Sequence, residues 1–180
     1  YTLSLHDALP IWMTSRRTAF GRFNATIARY ALYACVAGLV AIVAVVAFQV
    51  FGRYVLNASP TWTENLALVL VLYVTLIGAA VGVRDAGHLG MDSLLALAPG
   101  AWRRRIGLVI HCCVAVFGGL MAWNGAILGE AVASYKLANI DLPESVRYVP
   151  LVISGALIVL FSIEHALALA RGATVERAWH

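Results

Sequence analysis

The chain has 180 residues, of which 62% are hydrophobic and only 12% charged, and its mean hydropathy is +0.84. Soluble domains average about 45–50% apolar and about 25% charged residues, and a soluble fold of this length has too little interior to hide such a surplus. The net charge of +4 lies in short basic clusters between apolar runs, a distribution that suits membrane topology and not a nucleic-acid footprint.

Residues 1–12 precede the first methionine, Met13, and resemble translated sequencing-adapter sequence. They lack the basic and apolar regions of a signal peptide. They are expected to be a non-native leader, with a native peripheral segment as the alternative. Residues 13–29, with Arg16, Arg17, Arg22 and Arg29, are read as a polar N-terminal segment.

Four apolar runs follow, near 30–51, 65–83, 106–128 and 149–170. Each meets the roughly 20 residues that a helix needs to cross a bilayer. They are too long for strands, and in hydrocarbon a helix satisfies all of its backbone groups internally. The expected fold is therefore an all-α integral membrane protein with four transmembrane helices. Between the first two spans, Ser59-Pro60 stops one helix, and Thr61 or Thr63 is placed to cap the next. Trp62 falls at headgroup depth, where indole rings are favoured. Between spans two and three, the apolar stretch 91–97 is too short to cross, so it is read as a short interfacial helix. Asp92 stands near its start and Pro99-Gly100 close it.

Orientation follows from the basic residues. Ten of the thirteen lie before span one, between spans two and three, or after span four. The positive-inside rule puts both termini, and the tail 171–180, in the cytoplasm. Glu130, Asp141 and Glu144 then fall in the translocated loop.

No nucleophile elbow, zinc motif or phosphate loop is present. Neither a cofactor nor a metal ligand set is expected. Cys35, Cys112 and Cys113 lie inside apolar runs and read as inert buried thiols. His111 and Asn124 are about 20 Å apart along one helix and do not form one site. Glu164 and His165 are neighbours near the cytoplasmic end of span four, within reach of the interface. His111 begins span three and His165 ends span four on the same side, at compatible depths, which keeps a haem-binding redox bundle open as an alternative. The spans hold neither a mid-membrane acid nor a pair of broken helices of the kind from which coupled transporters build sites.

The sharpest pattern is Arg84-Asp-Ala-Gly-His-Leu-Gly-Met-Asp92, directly after span two. With Arg53 to Asn57, Trp62-Thr63-Glu64, Gly78, Leu142-Pro143 and Tyr148-Val149-Pro150, it resembles the small membrane subunit of TRAP transporters (tripartite ATP-independent periplasmic, DctQ-like). The resemblance covers roughly residues 22–170. One departure is Asn65, where the family often has a second acid after the tryptophan. The four-span subunit of the tripartite tricarboxylate transporters has a similar architecture but unrelated motifs.

What the resemblance implies is a non-enzymatic scaffold in the bacterial inner membrane. Its partners would be a large membrane subunit, a periplasmic substrate-binding protein and the bilayer itself. The task implied is sodium-coupled uptake of an organic acid. Asn57, Trp62, Glu64, Arg84, Gly87, His88, Asp92, Leu142, Pro143, Tyr148 and Pro150 become candidate interface residues. Gly38, Gly78 and Gly118 are expected to let the partner's helices pack closely.

Overall fold

A computed structural model of the chain describes residues 19–58, 60–86, 100–137 and 142–171. Every apolar run is helical. The helices are α1 (Ala19–Tyr54), α2 (Trp62–Ala86), α3 (Gly100–Ala131) and α4 (Val149–Arg171), and all four are long and apolar enough to cross a membrane. At 1.5 Å per residue, the 36 residues of α1 reach about 54 Å, well beyond the roughly 30 Å hydrocarbon core. Its first turns therefore carry Arg22, Asn24 and Arg29 below the apolar run. Apolar side chains surround α1 and α2 instead of following one stripe, as suits helices bathed on several sides by lipid or partner. The expected interfacial helix at 91–97 lies outside the described residues.

Helix starts and stops follow local chemistry. Beyond α1, the Val55 amide donates to Phe51 O at 2.9 Å and the Ala58 amide to Gly52 O at 3.1 Å. Asn57 takes the left-handed φ of 51°, which a short polar side chain tolerates. Thr63 does not use its hydroxyl to accept from an α2 amide; it donates to Pro60 O at 2.6 Å. Across the bundle, Leu137 N donates to Leu142 O and Glu144 N to Tyr135 O, each at 2.8 Å, so the connection is pinched at its base. A 3-10 turn (Glu144–Arg147) leads into α4 and is tied to α2 where Tyr73 Oη donates to Val146 O at 3.1 Å.

The helices lie in the spatial order α1–α2–α4–α3. α3 packs most extensively on α4, α1 on α2, and α2 on α4, while α1 touches α4 only lightly. Thus α4 is the element that meets all the others, and its apolar stretch is the most buried of the four.

Glycines set the close approaches. A Cβ on Gly38 would lie 2.5 Å from Val74 Cγ2, and Gly78 faces Cys35 Sγ across the same α1–α2 contact. A Cβ on Gly155 would stand 2.6 Å from Gly118 O and 2.7 Å from Ala122 N, so α3 and α4 meet backbone to backbone. Gly38, Gly78 and Gly118, expected to serve an outside partner, are consumed by packing within the chain. A long apolar helix needs such contacts with its own neighbours first.

The described apolar core is small: Ala28, Val81 and Phe161, with Ile27, Ala31, Leu32 and Leu157 around them. It sits at the end of the bundle where α1 begins and α2 ends, called here the basal end. Cys35 is buried as expected, but Cys112 and Cys113 are exposed on α3, since that helix has α4 on one side only.

Candidate functional site

At the basal end each helix contributes a buried polar side chain. They are Asn24 from α1, Arg84 and Asp85 from α2, His111 from α3, and Glu164 and His165 from α4, between 0 and 7% exposed. Arg84 is the centre. Its Nε lies 3.3 Å from Glu164 Oε2 and its Nη2 3.5 Å from Oε1, so the guanidinium fork faces the carboxylate with two nitrogens. Nη1 lies 3.3 Å from Asp85 Oδ1. The guanidinium carbon also lies 5.9 Å from the centre of the buried Phe161 ring, within reach of a cation–π contact.

Glu164 receives a further hydrogen bond from Asn24 Nδ2 at 3.0 Å. His165 turns the other way. Its Nε2 lies 2.8 Å from the backbone oxygen of Arg84, and its ring stacks on His111 with centroids 5.0 Å apart and planes 5° from parallel. Among the last carbonyls of α2, that of Arg84 thus finds a side-chain partner.

Several readings of the sequence are revised by this geometry. Glu164 and His165, read as within reach of the interface, are both buried inside the chain, because α1, α2 and α3 converge on that turn of α4. The two histidines are at matched depth, but they confront each other by their faces and not by their nitrogen lone pairs. That is not the arrangement of two axial haem ligands, and the redox-bundle alternative loses its basis. Asn124 stays apart, with Nδ2 donating back to Leu120 O at 2.8 Å.

The remaining candidates divide between the two ends. At the opposite end, Asn57, Trp62, Glu64, Leu142 and Pro143 are exposed. Trp62 leans on Phe48 with ring centroids 6.2 Å apart, and Glu64 lies in the first turn of α2, where a carboxylate favours the helix dipole. Asn65, where the family pattern often has an acid, accepts from Arg147 Nη2 at 3.3 Å, and Arg147 Nη1 lies 3.4 Å from Glu144 Oε1. Tyr148 is half-buried, and its carbonyl accepts from Leu151 N at 3.0 Å. Pro150 is fully buried in the first turn of α4, where its missing N–H costs nothing. Arg84 and Pro150 therefore serve the inside of the chain and are not surface contacts. Gly87, His88 and Asp92 lie outside the described residues.

Sequence reasoning missed Asn24 and Asp85. Asn24 lies before the apolar run of span one, and Asp85 was taken as part of the Arg84 motif. A faint signal existed: Glu164 needs a positive partner at its depth, and Arg84 is the basic residue at the matching end of span two.

The family model for the DctQ component of tripartite ATP-independent periplasmic transporters matches residues 42–172. The chain belongs to the DctQ family. The match covers three of the four membrane helices in full and the closing part of α1 from residue 42, and it sets aside the tricarboxylate alternative. DctQ-family chains are transporter components, not enzymes. This one is a multi-pass membrane protein. It is 28% identical over 105 residues to the C4-dicarboxylate TRAP transporter small permease protein DctQ of Vibrio cholerae, covering 55% of this chain and 44% of that one. It is 24% identical over 117 residues to the sialic acid TRAP transporter small permease protein SiaQ of the same organism, covering 65% and 68%. It is also 31% identical over 84 residues to the sialic acid TRAP transporter permease protein SiaT of Haemophilus influenzae, covering 43% of this chain but 14% of that protein. The chain thus spans less than half the length of the DctQ it matches.

Proposed function

We propose that this DctQ-family chain is the fixed membrane scaffold of a TRAP transporter. In this reading it binds a large membrane subunit and supports sodium-coupled, binding-protein-dependent uptake of an organic acid across the bacterial inner membrane. The family match carries the reading. The names of the relatives, a small permease protein for C4-dicarboxylates and another for sialic acid, supply the class of substrate. Physically, the four described spans are unbroken helices, so this chain offers a rigid body instead of an ion or substrate path. Only 6% of the apolar window of α1 is buried within the chain, which leaves a long lipid-depth face for a partner's helices.

In this reading both termini lie in the cytoplasm, which the excess of basic residues at the basal end supports. The exposed set at the other end, Asn57, Trp62, Glu64, Leu142 and Pro143, then faces the periplasm and can help receive the binding protein. Gly87, His88 and Asp92 follow α2 on the cytoplasmic side and form a docking segment for the large subunit. His88→Ala or Asp92→Ala should weaken assembly or uptake without stopping membrane insertion.

The test is co-expression of the tagged chain with the large membrane protein from its gene neighbourhood. A stoichiometric complex in detergent, and sodium-dependent uptake in proteoliposomes once the binding protein is added, are expected. A chain that leaves the membrane alone would overturn the scaffold reading.

A further inference from the structure

On a membrane helix an apolar face proves little, because lipid covers it as readily as a partner does. α1 has the barest apolar face of the four helices, but its carboxamide, Gln49, is half-buried. A polar side chain exposed at lipid depth is more telling, since hydrocarbon offers it no hydrogen bond. Asn124 on α3 is such a group. It stands seven residues, about 10 Å, before the end of a 27-residue span. When centred, that span overreaches the roughly 30 Å hydrocarbon core by only about 5 Å at each end, so Asn124 lies within the hydrocarbon. One Nδ2 hydrogen goes to Leu120 O at 2.8 Å. The second hydrogen and the lone pairs of Oδ1 are left over, and among the described residues nothing meets them.

The neighbours of Asn124 give this exposure a pattern. Cys113, Phe117, Leu120, Asn124 and Ile127 are all exposed and recur at alternating steps of four and three. That is heptad spacing, the seam along which two helices interlock at a shallow angle. It lies away from the α4 contact, where Gly118 and Gly125 meet Gly155 and Leu151. A single carboxamide in such a seam fixes the register, because it must meet a polar group at its own depth. We propose, building on the scaffold reading above, that this face of α3 is where a membrane helix of the large subunit docks, with Asn124 hydrogen-bonded to a polar group of that helix. Self-pairing of Asn124 with a second copy of this chain is the rival. The relation to the Haemophilus influenzae permease favours a different helix. The 84 matched residues are 14% of that protein, so there a stretch like this one is joined in one polypeptide to a much longer permease.

Asn124→Leu removes the carboxamide without touching the basal cluster or the α3–α4 contact. Co-expressed with the large membrane protein of the gene neighbourhood and titrated with detergent, this variant should form a complex about three- to twenty-fold weaker than wild type, the range for one interhelical hydrogen bond. Asn124→Gln, which keeps the carboxamide, should recover part of the loss. Independently, benzoylphenylalanine in place of Phe117 should, on illumination in the membrane, cross-link this chain to the large subunit. An undiminished complex with Asn124→Leu, or a photoproduct at position 117 on lipid alone, overturns the docking face, while co-purification of the wild-type chains keeps the scaffold reading standing. Photoproducts that join two copies of this chain assign the seam to self-association and overturn the face as well. Wild-type chains that do not co-purify defeat the scaffold reading and the docking face together.

Discussion

Adjacent positions on a helix are turned by about 100°, and Glu164 and His165 use that turn to face different neighbours. Glu164 collects Asn24 and Arg84, and His165 collects the end of α2 and His111. The Arg84 guanidinium is the shared partner of two carboxylates, so its loss should be felt more than the loss of either acid. Arg84→Ala leaves both carboxylates buried without their cation and is expected to destabilise the chain by about 3–5 kcal/mol. Reversible unfolding in mixed micelles measures this. Arg84→Lys should recover only part of it, because an ammonium lacks the fork that reaches Asp85 and Glu164 together. A wild-type unfolding curve for Arg84→Ala would mean that the cluster is idle in stability. At the opposite end, Asn57→Val places a β-branched residue at φ 51° and should cost about 1–2 kcal/mol, whereas Asn57→Gly should be tolerated.

At the level of helices, the four spans were legible because length and hydropathy alone mark a membrane helix. The boundary turns were legible from proline, glycine and tryptophan. What joins the helices was not legible. Nothing in the linear pattern places α4 between α2 and α3, and without that order Glu164, Arg84 and Asn24 cannot be brought to one point. Asn24 was hidden for a second reason: it lies in the part of α1 below the apolar run, which reads as a solvated segment. The glycines were seen, but their partners were assigned outside the chain when they lie within it. Substitution separates the two roles. Gly155→Ala puts a methyl against the backbone of Gly118 and Ala122, which cannot give way, and should destabilise the α3–α4 pair by about 1–3 kcal/mol. Gly82 and Gly119 have open space beside them. Gly82→Ala and Gly119→Ala should leave the isolated chain within about 0.5 kcal/mol of wild type. Loss of complex formation in either, with the chain itself intact, would locate the partner on that face.

On the scale of the molecule, an even number of spans places the start of α1 and the end of α4 at the same end. The excess of basic residues at that end makes it cytoplasmic in the proposed topology. Single cysteines at Asn57 or Leu142, in a background lacking Cys35, Cys112 and Cys113, should react with a membrane-impermeant maleimide added to intact cells. A cysteine at Arg22 should react only after the cells are opened. The reverse pattern would invert the whole arrangement and with it the side to which the binding protein comes.

The central place of α4 also bears on how the chain is made. Membrane helices leave the ribosome in order, so α1 and α2 meet as a hairpin while the last helix has yet to be synthesised. Arg84 and Asp85 must wait at the membrane surface, where water still solvates them, and α3 has no extensive neighbour at all. Only when α4 enters can Arg84 meet Glu164 and the third helix be captured. Biogenesis of this subunit is therefore back-loaded: a nascent chain stopped before Val149 carries three inserted helices without the element that holds them, and presents itself to membrane proteases as unfinished.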